Sequence, residues 1–113
     1  MSQPIPEIDV SAVPAERPEG FVVLDVREDD EWRAGHISGA VHVPLMQVPQ
    51  RVSELPADQQ VLVVCRAGGR SAKATALLQA QGYDAVNLAG GMLAWEQAQR
   101  PMVSDTESAP EVI

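Results

Sequence analysis

The only cysteine of this 113-residue chain, Cys65, lies in the stretch "VLVVCRAGGRS", residues 61–71. A thiol attacks as its thiolate, and helix N-termini and neighbouring cations favour that form. Both surround Cys65. Ala67, Gly68 and Gly69 are small enough for successive backbone N–H groups to curl about one point, a nest for an anion. Arg66 and Arg70 bring guanidinium forks that grip oxyanions. Ser71 opens a strong helix-forming run, "AKATALLQAQ", and has the side chain of an N-cap. Taken alone, a cysteine behind four apolar residues is a small buried hydrophobe, and glycines before a helix are common connections. An inert core residue has no use for two arginines and a Gly-rich helix entry together. Cys65 is therefore expected to be largely ionised at neutral pH and nucleophilic.

The charge distribution points to the same place. The chain carries 8 basic and 16 acidic residues, a net charge of −8. Residues 61–80 hold Arg66, Arg70 and Lys73 and no acid, so the one basic island in an acidic chain surrounds the one cysteine. The overall charge disfavours nucleic acid or an anionic membrane as partner. A single cysteine forms no internal disulfide, and the N-terminal residues lack the charged and apolar regions of a signal peptide. No stretch approaches eighteen apolar residues, so a membrane span is not expected and the expected location is the cytoplasm. With one cysteine and no ligand cluster, neither a metal nor another cofactor is expected.

The loop needs elements to hold it. Four apolar runs read as strands: Phe21–Val26, Ala40–Val43, Val61–Val64 and Ala85–Leu88, with Ile8–Val10 as a weak edge strand. The first and third are rich in β-branched residues and nearly continuous, the pattern of parallel strands buried on both faces. Helices are expected at Glu28–Ala34, ended by Gly35, at Leu45–Leu55, broken by Pro49, at Ser71–Gln81, followed by Gly82, and at Met92–Gln99. Alternating strands and helices imply an α/β layer architecture. Cys65 then falls at the carboxyl end of a central strand, where open α/β sheets bind ligands. The acidic residues 102–113 show no periodicity and read as a mobile tail, and residues 1–6 as an N-terminal extension.

Three blocks in order resemble the single-domain rhodaneses, thiosulfate or persulfide sulfurtransferases. They are "LDVREDDEWRAGHISGAVHVP" (24–44), "CRAGGRS" (65–71) and "GYDAVNLAGGMLAWEQAQRPM" (82–102). The resemblance covers roughly residues 7–101. It implies a three-layer rhodanese-like fold with a central, mostly parallel five-stranded sheet and helices on both faces. It also implies a mechanism in which Cys65 takes a sulfane sulfur from thiosulfate or a persulfide and passes it to cyanide or a thiol. Residues 66–71, namely Arg66, Ala67, Gly68, Gly69, Arg70 and Ser71, would bind the donor and cradle the transferred sulfur. Asp25 and Arg27 would support the loop, with Arg27 a further candidate for touching substrate. Two positions depart from the pattern: His42 stands where the family often has Asn, and Gln99-Arg100 where Gly is frequent.

Loop length separates related activities. Cys65 and Arg70 bracket four residues, a C-x4-R loop. Phosphatases and arsenate reductases of related fold use C-x5-R, whose wider cradle admits a tetrahedral oxyanion. That places phosphatase chemistry below sulfur transfer. A protein-to-protein persulfide carrier shares the chemistry and stays open as an alternative; the intact Cys65 argues against a purely binding domain. His36 and His42 read as hydrogen-bonded structural residues, Trp32 and Trp95 as covers of the core edge, and "EDDE" (28–31) as a solvated helix start. Met46, Met92 and Met102 read as core filling.

Overall fold

The computed structural model describes residues 5–113. Five strands, β1 (Glu7–Ile8), β2 (Phe21–Asp25), β3 (Val41–His42), β4 (Gln60–Val64) and β5 (Asp84–Leu88), form one sheet in the order β1-β5-β4-β2-β3. Every pairing is parallel. The helices are α1 (Asp29–Ala34), α2 (Val48–Arg51), α3 (Gly69–Ala80) and α4 (Gly91–Gln97). This is the expected α/β arrangement with a five-stranded parallel sheet. Among the described residues no helix is long and apolar enough to cross a membrane.

The central strand explains the layers. Along β4, Val61 and Val63 join a cluster with Val48, Ala74 and Leu78 from α2 and α3. The alternate residues Leu62 and Val64 join a second cluster with Met92 and Trp95 from α4. These four side chains are fully buried, as period-2 alternation requires of a strand covered on both faces. β2 leads on to β3 on one side of the sheet and β4 on to β5 on the other. The chain thus reverses its direction of travel between the carboxyl ends of β2 and β4, the crevice where Asp25 and Cys65 emerge.

Several boundaries differ from the sequence reading. Pro49 lies in the first turn of α2, where a missing N–H costs nothing, so it starts a helix flanked by two 3-10 turns rather than breaking a longer one. α3 begins at Gly69, two residues ahead of the expected cap. Of the proposed N-terminal extension, residues 1–4 lie outside the described residues, while the Pro6 carbonyl accepts from Asn87 N beside β5. Met46 is 82% exposed and fills no core. Residues 102–113, read from composition as a mobile tail, lie against the body. Val103 and His36 exchange both backbone hydrogen bonds, Asp105 N donates to Arg33 O, and Glu111 N donates to Ala34 O.

Candidate active site

Cys65 follows β4 directly and is 1% exposed. Its Sγ accepts from the Gly68 amide at 3.0 Å and from the Ser71 hydroxyl at 3.2 Å. Two glycines make this geometry possible. Gly68 adopts φ +110°, a left-handed conformation that turns its N–H back on the sulfur and starts α3. Gly91, at φ +57°, lies so close beneath the loop that a Cβ there would stand 2.5 Å from the Cys65 carbonyl oxygen. That approach lets the first turn of α4 hold the loop backbone: Met92 N donates to Cys65 O at 2.8 Å and Leu93 N to Arg66 O at 3.0 Å.

Burial alone pushes the Cys65 thiol up. The Ser71 hydroxyl and the amides of Ser71, Gly68 and Ala67 outweigh it and hold the thiol below its ordinary value. Ser71 serves differently from expectation: it lies within α3 rather than capping it, and its hydroxyl goes to the sulfur.

The two loop arginines are engaged by different partners. Both Nη atoms of Arg70 donate to the Glu31 carboxylate, at 2.7 and 2.8 Å. That fork holds Glu31 below the usual carboxylate range against the opposing effect of burial, and it raises Arg70. Arg66 is exposed and donates from Nε to the backbone oxygen of Ile113 at 2.9 Å. Hydrogen-bond donors, rather than two free guanidinium charges, thus dominate the setting of the sulfur.

Asp25 and Arg27 are fully buried. Arg27 Nε and Nη2 both bond the Asp25 carboxylate, and Nη2 reaches Gly35 O at 2.7 Å. The guanidinium is sealed from solvent, and its Nη1 has no hydrogen-bond partner among the described residues. His42 Nε2 lies 2.7 Å from Arg27 O and His36 Nδ1 lies 2.6 Å from Trp32 O. Trp32 stacks on both imidazoles, at centroid distances of 3.6 and 4.7 Å. Among the described residues no group of three metal-ligating side chains gathers.

Two residues outside the sequence reading support the loop. Glu31, part of the "EDDE" run taken as solvated, pairs with Arg70 and also accepts from Glu28 N. Asn87, buried in β5, donates from Nδ2 to the Gly68 carbonyl at 3.2 Å and to Glu7 Oε2 at 3.0 Å. The available signal for Asn87 was a polar residue within the apolar strand "AVNL", which demands a partner.

Residues 12–98 match the rhodanese-like domain, and the chain belongs to that family. A protein named sulfurtransferase from Allochromatium vinosum is 40% identical over 87 residues, covering 76% of this chain and 81% of its own. Thiosulfate sulfurtransferase GlpE of Pseudomonas fluorescens is 35% identical over 93 residues, covering 81% of this chain and 85% of its own. The crystal structure of a rhodanese-related protein from Thermoplasma volcanium superposes with a TM-score of 0.81 at 30% identity, over 87% of this chain and 97% of that one.

Proposed function

We propose that this rhodanese-family chain is a sulfurtransferase that carries sulfane sulfur on Cys65. The observation that carries the reading is a buried sulfur facing an amide, a hydroxyl and a helix entry, with its thiol held below the ordinary value. The thiolate attacks the outer sulfur of thiosulfate. The new bond joins Sγ to that sulfur, and the old S–S bond breaks with its electron pair leaving on sulfite. The persulfide keeps the single negative charge of the thiolate, and the amides of residues 66–71 cradle its outer sulfur. Cyanide or a thiolate then attacks that outer sulfur, and the Sγ–S bond breaks to restore Cys65. The loop donors favour the thiolate, which lessens the need for a separate general base. Double displacement gives ping-pong kinetics.

The loop length supports sulfur over phosphate: four residues separate Cys65 from Arg70. A second reading, a carrier between protein donor and protein acceptor, is favoured by one observation. Neither loop arginine stands wholly free for a small oxyanion, since Arg70 is paired with Glu31 and Arg66 with Ile113. Thiosulfate:cyanide turnover by the wild-type chain beside Cys65→Ser, with mass spectrometry for one added sulfur on Cys65, tests the proposal. Activity that persists in Cys65→Ser ends it; weak thiosulfate turnover with ready persulfidation by a protein donor selects the carrier.

A further inference from the structure

The C-terminal segment is seated on the body by backbone contacts and ends at the catalytic loop. Val103 bridges His36, Glu111 N donates to Ala34 O, and Val112 N donates to Glu96 Oε2 on α4 at 2.9 Å. The Val112 side chain packs against the apolar cluster containing Met92 and Trp95. Gly35 leaves the space the segment occupies: a Cβ there would lie 2.5 Å from Glu111 O and 2.7 Å from its N. The last contact is the Ile113 backbone oxygen on Arg66 Nε. Residues 102–113 contribute three acidic residues, Asp105, Glu107 and Glu111, and no basic one.

We infer that residues 109–113 are a specificity element of the sulfur-transfer site, competing with anionic donors for Arg66; this rests on the proposed role of Arg66 in holding a donor oxyanion. A guanidinium presents its forked donors edge by edge, and the Ile113 backbone oxygen takes the Nε position. A small dianion must displace that oxygen to use the same edge, and must come in beside a segment of its own sign. An uncharged donor meets neither obstacle. The seated segment therefore raises the apparent KM for free oxyanions and leaves the reactivity of the sulfur itself unchanged.

The test compares alkylation of Cys65 by iodoacetate and iodoacetamide in the full chain and in a variant lacking residues 109–113. Both reagents consume the thiolate, so their rate ratio reports anion preference free of changes in thiol ionisation. Removal of the segment is expected to raise the iodoacetate to iodoacetamide ratio about three- to tenfold, the worth of one ordinary hydrogen bond. The gain should vanish when Arg66→Ala is added, and KM for thiosulfate should fall by a similar factor. Gly35→Ala, which keeps every tail residue but crowds Glu111, should move the ratio the same way and serves if the shortened chain fails to fold. An unchanged ratio, or an equal gain with Arg66→Ala, overturns the inference. A raised ratio without thiosulfate turnover sinks the thiosulfate assignment instead and leaves the competition standing.

Discussion

β2 and β4 run side by side in the sheet, and each delivers charged or reactive residues at its carboxyl end. At the end of β2, Asp25 and Arg27 pair with one another, are fully buried, and tie β2 to Gly35 beyond α1. At the end of β4, the Gly68 amide and the Ser71 hydroxyl converge on a single sulfur. The same crevice thus holds a buried ion pair on one side and a nucleophile with donors gathered about it on the other. Position at a strand end provides the opportunity for chemistry. Whether the local polar groups satisfy each other or point at one reacting atom decides which residue performs it.

The sharpest way to break that comparison is to remove a central group from each end. Cys65→Ser should abolish sulfur transfer while the thermal midpoint stays close to wild type, since the replacement is small and the site is served by donors. Arg27→Ala should do the reverse. It strands a buried carboxylate and should lower stability by about 3–5 kcal/mol in denaturant titrations. If stability held and KM for the donor rose, Arg27 would be a substrate ligand and the contrast would collapse.

Ser71→Ala refines the β4 end. Removing the hydroxyl leaves fewer donors on the thiolate, so the pKa of Cys65 should move up toward the ordinary thiol value, and the acid limb of the alkylation-rate profile should move with it. The sign for stability follows by linkage. Because the folded pKa is depressed, the thiolate stabilises the fold above the unfolded thiol pKa of about 8.5, and this is lost as pH falls through the folded pKa. Denaturation of Ser71→Ala should accordingly show a smaller gain in stability from neutral to alkaline pH than wild type. An identical profile would mean that the amides alone set the sulfur.

The smallest expected change lies away from both ends. Gln99 adopts φ 57°, a left-handed conformation that favours glycine. Gln99→Gly relieves that backbone and loosens the unfolded chain, so thermal denaturation should show a change within about 1 kcal/mol and no effect on transfer.

What the sequence made legible follows from how local the physics is. The sulfur loop is contiguous: nucleophile, nest, arginines and helix entry lie within residues 65–71, and their types declare the chemistry. The buried strands were legible because their apolar runs are continuous. The misplaced start of α3 came from treating Ser71 as a cap, when a left-handed Gly68 starts the helix and frees that hydroxyl for Cys65. The Arg70–Glu31 pair spans 39 residues and the Gly68–Asn87 bond 19, so no window of sequence contains either. The seating of residues 102–113 was silent for a different reason. It is made mainly by backbone N–H and C=O groups, which every residue type possesses.

The clamp of α4 on the loop carries one more consequence. The carbonyls of Cys65 and Arg66 are held by Met92 and Leu93 amides, residues that follow them by a whole strand and helix in the chain. The donors that favour the thiolate come from residues 67–71 themselves, so the ionisation of Cys65 and the anchoring of its loop have separate sources: one local, the other reaching across β5 from α4.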